Sequence, residues 1–340
     1  MSYGPLAERL KANMSKTAPY LDVTRNKLLS EPIRKGFGRG LERAGHIYPN
    51  VVAACADLTE STQMHLFKQS FPERFVEVGI AEQNLVTLGA GLAAGGKIPF
   101  VSSYAAFSPG RNWEQIRTTI CLNDRPVKII GSHAGISVGP DGATHQMLED
   151  LALMRVLPNM VVIAPADSVE AEKATLAMAA DPRPNYMRLA REATPIFTTD
   201  KTPFVIGKAL LLESGSDITL IATGTMTYHA LMAAELLYKD GIEAEVIHVA
   251  TIKPLDDELI LKSVRKTKAV VTAEEGQING GLGGAIAELL SEHYPVPMRR
   301  IGMRDRFGES GTPEQLLKHF GLDAEHIRLA AHAALIDREE

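Results

Sequence analysis

"VEVGIAEQNLVTLGAGLAAGG", residues 76–96, reads as the end of a strand, a polar junction, a helix of small residues and a stop at Gly95-Gly96. A strand that feeds straight into a helix is the repeating unit of a parallel sheet covered by helices. The same stretch sets Glu82 among Val76, Val78, Ile80, Leu85, Val86 and Leu88. An ionised carboxylate in apolar surroundings is costly unless it is paired or takes up a proton. Glu82 therefore needs a partner. One candidate is the set of free N–H groups in the first turn of its own helix; another is a heteroaromatic ligand whose ring nitrogen it bonds.

The pattern continues on both sides. "NVVAACADL" (50–58), "IPFVSSYAAF" (98–107), "PVKIIGSHAG" (126–135), "NMVVIAPA" (159–166) and "PNYMRLARE" (184–192) read as strands. "NWEQIRTTICL", "MLEDLALMRVL" and "SVEAEKATLAMAA" read as helices between them. Residues 193–204, with two prolines and four threonines, lack periodicity and read as a linker. A second series follows, with strands in "DITLIATGT", "EAEVIHVATIKP", "KAVVTAEEG" and "VPMRRIGM", and two helices close the chain. The expected fold is α/β: two consecutive open, mostly parallel, doubly wound sheets with helices on both faces. The expected domains are 26–192 and 205–340, with residues 1–25 as a helical lead-in.

Composition narrows the function. The chain has 340 residues, 45% hydrophobic and 23% charged, with net charge −5. No global attraction to nucleic acid or membrane follows from that charge, so a phosphorylated substrate needs a local cluster of arginines. Cys55 and Cys121 sit in apolar stretches and read as core residues in a reducing compartment. No secretory signal and no membrane-length apolar run is present, and the expected location is the cytoplasm.

In an open parallel sheet, ligands gather at the carboxyl ends of the strands. Four such ends carry Asp57, Glu82, Tyr104 with Phe107, and His133 followed by "GISVGPDGATHQ". Each signal is weak alone; Asp57, two residues before Thr59, also fits a helix cap. Their convergence on one edge is the informative point.

"VGIAEQN", "GLAAGGKIPFVSSYAAF", "GSHAGISVGPDGATHQ" and "ALMRVLPNMVVIAPAD", in that order, resemble the thiamine diphosphate enzyme transketolase over nearly the whole chain. The match is to a pyrimidine-binding domain followed by a transketolase C-terminal domain. The resemblance implies transfer of a two-carbon ketol unit between phosphorylated sugars through a thiamine diphosphate ylid, as in the pentose phosphate pathway. It implies that Glu82 bonds the aminopyrimidine ring nitrogen, that Tyr104 and Phe107 pocket the pyrimidine, and that Asp57 and Leu58 lie near the middle of the cofactor. Some family members carry a third aromatic three residues after the second; here Gly110 stands there. The resemblance further assigns Arg34, Arg191 and Ser61 to phosphate, and His133, Asp141 and His145 to substrate hydroxyls, with His133 and His145 as catalytic candidates. Arg34 also fits a solvated helix position.

A full transketolase binds the diphosphate and its metal, Mg or another divalent ion, through a separate domain marked by Gly-Asp-Gly. That triplet occurs nowhere in these 340 residues, and no metal ligand is assigned to this chain. The resemblance then implies a split enzyme. A partner chain, the N-terminal transketolase subunit, carries the diphosphate-binding domain. The cofactor site is shared, and the assembly is a heterotetramer that self-associates through the pyrimidine-binding and C-terminal domains. A piece cut from a longer protein is the alternative. The rival functions are the β subunit of a thiamine-dependent 2-oxo acid dehydrogenase, a deoxyxylulose-phosphate-synthase-like enzyme, and a non-catalytic regulatory paralogue. "GGLGGAIAE" after "VTAEEGQIN" could bind an anion at a helix N-terminus but lacks a nucleotide fingerprint and reads as tight strand–helix packing, with Glu274-Glu275 as an exposed or interface pair.

Overall fold

The structure, a computed structural model, describes Leu21 and residues 28–339, so the expected lead-in lies almost wholly outside the described residues. The first half runs β1 (Ser30–Pro32), α1 (Ile33–Ile47), β2 (Val51–Cys55), α2 (His65–Ser70), β3 (Phe75–Glu77), α3 (Glu82–Ala94) and β4 (Ile98–Tyr104). It continues with α4 (Trp113–Gln115, extended by a π-helical stretch, Ile116–Cys121), β5 (Lys128–Ser132), α5 (Asp150–Arg155), β6 (Val161–Ile163), α6 (Ser168–Ala180), β7 (Asn185–Arg188) and β8 (Ala193–Pro195). The second half holds β9 (Leu210–Glu213), β10 (Ile218–Ala222), α7 (Met226–Lys239), β11 (Ala244–His248), β12 (Thr251–Lys253), α8 (Asp257–Thr267) and β13 (Val270–Gln277). It ends with α9 (Leu282–His293), β14 (Met298–Met303), α10 (Pro313–His319) and α11 (Ala324–Glu339).

The first sheet has seven strands in the order β12-β6-β7-β5-β4-β2-β3, all parallel except β12. The second has five, β14-β13-β10-β11-β9, with β9 antiparallel at one edge. The expected pair of open, mostly parallel sheets is what forms. Every residue of β2, VVAAC, is buried, as a strand covered on both faces requires. Helix α1 buries Ile33, Phe37 and Leu41 on one face. Its Gly36 lies so close to α6 that a Cβ there would meet the Ser168 carbonyl oxygen at 1.8 Å, so glycine lets the start of α1 pack directly against α6.

Two segments differ from the sequence reading. "EAEVIHVATIKP" is not one strand: it ends in the second sheet as β11, and β12 then adds antiparallel to β6 in the first sheet. The chain thus stitches its two halves together, and the Ala164 N–H donating to the Ala250 carbonyl extends the seam. Residues 193–204, read as a linker, are packed. β8 pairs with β1, Phe197 is buried, and the Asp167 carboxylate accepts from the Phe197 and Thr198 N–H groups at 3.0 and 2.8 Å while capping α6 through Glu170 N. No helix among the described residues is long and apolar enough to cross a membrane.

Candidate active site

Strands β2, β4, β5 and β7 of the first sheet end on the same edge, and the chain leaves each of them with a polar or aromatic residue. β4 delivers Ser103 and Tyr104, and the turn after it carries Phe107 and Arg111. β5 delivers Ser132 and His133. β7 leads to Arg191, and the start of α1 brings Arg34.

Glu82 opens α3 and is only 2% exposed. Its carboxylate does not use its own helix's N–H groups. Oε2 is ion-paired with Arg111 Nη1 at 2.7 Å, and Oε1 accepts from Ser103 Oγ at 3.3 Å. Asn112 Nδ2 holds the Glu82 backbone carbonyl at 2.8 Å. The apolar surroundings read from sequence are partly wrong: Val76 and Ile80 turn outward, Ile80 being 76% exposed. β3 is the edge strand of the sheet, so the side chains beside it face out. Arg111, half exposed, also lies over the Phe107 ring at 5.0 Å.

The aromatic group is built on Tyr104. Its ring stacks on His133 at 3.9 Å and lies 18° from the plane of Phe107 at 6.2 Å. His145 meets Phe107 edge-on at 5.5 Å. His133 adopts φ +56° and is buried, its Nδ1 2.8 Å from Ser132 Oγ. Burial, then the positive charges of Arg34 and Arg191 and neighbouring His145, pull its pKa down to about 3, so the ring is neutral at physiological pH.

Arg34 donates from Nη1 to the Ser61 carbonyl at 2.7 Å, and its Nε is buried without a hydrogen-bond partner. Burial and the like charge of Arg191 lower its pKa, while Tyr104 opposes that. Arg191 donates to the Val138 carbonyl at 2.8 Å and stands 3.5 Å from Asp141. Two guanidinium groups close enough to repel, one with an idle N–H, thus stand together at this edge.

Arg34, Ser61, Glu82, Tyr104, Phe107, His133, Asp141, His145 and Arg191 therefore form one contiguous group. Asp57 and Leu58 stand at the end of β2, beside it. Asp57 does not cap a helix. At φ +58° it is exposed, and its N–H donates to Glu77 Oε1 at 2.7 Å. Glu77 also accepts from Thr59 Oγ1 and Gly79 N, and so organises this turn. Sequence reasoning missed Glu77, Ser103 and Arg111; the one signal for Arg111 was a lone cation in the turn after Phe107. Among the described residues, no three His, Cys, Asp or Glu side chains converge as a metal set.

Comparison with known proteins gives the same reading from outside. Residues 31–196 match a family model described as the transketolase pyrimidine binding domain, and residues 207–327 one described as the transketolase C-terminal domain. A chain of Methanocaldococcus jannaschii, provisionally named a transketolase C-terminal section, is 47% identical over 87% of this chain and 93% of its own length. The 6-deoxy-6-sulfo-D-fructose transketolase subunit SqwH of Clostridium sp. is 44% identical over 83% of this chain and 88% of its own. The 1-deoxy-D-xylulose-5-phosphate synthase of Syntrophus aciditrophicus is 38% identical, but this chain spans only 46% of it. Among solved structures, a split gene transketolase described as an inactive β4 tetramer superimposes with TM-score 0.85 at 45% identity, covering 90% of this chain and 99% of that one.

Proposed function

The chain belongs to the transketolase family, and we propose that it is the subunit of a split transketolase that moves a two-carbon ketol unit between phosphorylated sugars. The carrying observation is the convergence, on one sheet edge, of a buried carboxylate, an aromatic cluster and a pair of arginines with an idle N–H. Bound thiamine diphosphate supplies the carbanion chemistry of such a transfer.

The residues present fit the pyrimidine end of that cofactor. Arg111 already places a flat nitrogen-bearing group between Glu82 and Phe107, and an aminopyrimidine is likewise a flat nitrogen-bearing ring. Glu82 holds the ring nitrogen through a hydrogen bond, and Tyr104 and Phe107 cover the ring and keep water from it. Asp57 and Leu58 line the approach to the middle of the cofactor. Arg34 and Arg191, with the Ser61 segment, take the sugar phosphate. His133 stays neutral and can donate to or accept from a substrate hydroxyl. His145 and Asp141 face the same space, and His145 moves a proton at a substrate oxygen.

A partner chain supplies the metal and diphosphate end. The solved neighbour's description as an inactive β4 tetramer of a split-gene enzyme supports both that dependence and self-association of this subunit. The assay mixes the purified chain with a candidate partner carrying Gly-Asp-Gly, thiamine diphosphate and Mg²⁺. Xylulose 5-phosphate plus ribose 5-phosphate is expected to turn over only with both proteins present. Turnover of pyruvate plus glyceraldehyde 3-phosphate instead would replace this reading with the synthase one. Full activity from either chain alone would end it.

A further inference from the structure

The loop from His133 to Gln146 carries three of the proposed substrate residues and is held only partly from within, by Gln146 Nε2 on the Ile136 and Gly139 carbonyls and by a turn at Gly142. Gly135, Gly139 and Gly142 all adopt positive φ, at +88°, +82° and +73°, and glycine leaves the backbone free unless something outside fixes it. Its outside ties come from both halves: in the first, the Ala134 N–H donates to the Leu189 carbonyl and Arg191 donates to the Val138 carbonyl, and the second half supplies two more. Gln146 Nε2 donates to the Glu309 carbonyl at 2.9 Å, and the Ser137 N–H donates to Glu275 Oε1 at 2.7 Å.

Glu275 was read from sequence as half of an exposed or interface pair. It is instead 4% exposed and fully engaged. Its Oε2 accepts from Thr225 Oγ1 at 2.6 Å, and its backbone carbonyl accepts from Arg188 Nη1 at 3.0 Å. Arg188 is itself fixed by buried Asp150 at 3.0 Å. The loop is shaped around this carboxylate: a Cβ on residue 135 would lie 2.3 Å from Glu275 Oε1, so only glycine fits there.

We propose that Glu275 is a positioning residue: its carboxylate, delivered by the second sheet, holds loop 133–146 in the shape that sets His133, Asp141 and His145 toward one substrate. This deepens, and rests on, the ketol-transfer reading above. The second sheet then shapes sugar recognition directly, through an acceptor placed under the loop's first turn.

Hydrogen–deuterium exchange on the full chain tests the tie without any activity assay. Glu275→Ala is expected to speed exchange in peptides covering 133–146 by about tenfold or more, leaving β10 and α7 near wild type. Glu275→Gln keeps an acceptor oxygen for Ser137 and is expected to restore most of the protection. Thr225→Val, which frees only the second oxygen, gives a smaller acceleration in the same peptides. In the assembled enzyme, Glu275→Ala is expected to raise the sugar KM about tenfold and to lower kcat as His145 is displaced, with thiamine diphosphate affinity within about twofold of wild type. Unchanged loop exchange in Glu275→Ala or, where that variant does not fold, in Thr225→Val overturns the proposal, as does equal acceleration throughout the second sheet. A loosened loop in a protein whose wild type shows no ketol transfer would instead fault the functional reading and leave the tie standing.

Discussion

Two buried carboxylates, Glu82 and Glu274, stand at the entrance of a helix, one in each half of the molecule. Glu274 leaves β13 and closes the start of α9: Oε2 accepts from Leu282 N at 2.9 Å and Oε1 from Gly283 N at 2.8 Å. Gly281 makes room, since a Cβ there would sit 1.9 Å from Glu274 Oε2. The glycine-rich turn does hold a carboxyl group at a helix N-terminus, and that group is the chain's own. Glu82 ignores its helix and faces two side chains, one of them half exposed. A carboxylate sealed by backbone N–H groups has a structural task. One held by a movable cation can exchange partners, as a ligand site requires.

Replacement separates the two most sharply. Glu82→Ala is expected to lower turnover of the assembled enzyme by about 10²–10⁴-fold, the range of a positioned acid–base group, with little change in unfolding. Glu274→Ala reverses the pattern. Orphaning two buried N–H groups costs about 1–3 kcal/mol each, while turnover per folded molecule stays near wild type. Steady-state kinetics with urea denaturation on both variants decides it. Loss of stability without loss of turnover in Glu82→Ala would dissolve the distinction.

That distinction was half legible in the sequence. Alternation of apolar runs with helical periods was enough for both sheets, because strands buried on both faces must be continuously apolar. The strand ends carrying Glu82, Tyr104 and His133 followed from that order. The partners did not follow. Arg111 reaches Glu82 across 29 residues, and Glu275 reaches Ser137 across 138. The first depends on how the turn after β4 folds back over α3 and the second on how the two halves dock, and no local pattern encodes either. The crossing of β12 into the first sheet was hidden for a similar reason: "HVATIKP" shows no turn residue between β11 and β12 to mark a change of sheet. The "EE" pair read as exposed because two adjacent carboxylates usually are; burial needed backbone donors and Arg188 that only the fold brings together.

Two titrations of opposite sign sharpen the contrast. His133 has its pKa depressed to about 3, below its unfolded value of about 6.5. The unfolded chain binds the extra proton between these values, so the contribution is present above about pH 6.5 and is lost as pH falls toward 3. It is worth at most about 5 kcal/mol. Asparagine tolerates the left-handed backbone at this position, so His133→Asn is expected to flatten the acid limb of urea midpoints measured from pH 4 to 7. An unchanged slope would show that the ring is not held neutral.

Glu274 runs the other way. Burial raises its pKa from 4.5 to about 7, against the pull of the Leu282 and Gly283 N–H groups. Here the folded state holds the extra proton, so stability is full below about pH 4.5 and is lost as pH rises through 7. The loss is on the order of 3 kcal/mol. Glu274→Gln cannot ionise. It is expected to be less stable than wild type at pH 5 and to close much of that gap by pH 8. A gap that stays constant across this range would mean that the helix N-terminus keeps Glu274 ionised throughout.

The smallest expected effect belongs to Arg111, and it asks how loosely Glu82 is held. The guanidinium is half exposed and the carboxylate 2%, so water screens one side of the pair. Ion pairs of that kind contribute about 1 kcal/mol or less, and salt weakens them further. Arg111→Ala should therefore lower the unfolding free energy of the isolated chain by no more than about 1 kcal/mol. Raising the salt concentration should bring wild type toward the variant. The Glu274 contacts, sealed from solvent, should not respond to salt in the same way. If Arg111→Ala costs as much as Glu274→Ala and the cost does not depend on salt, then Glu82 is a structural carboxylate with a fixed partner, and a ligand would have to break a strong buried pair to reach it.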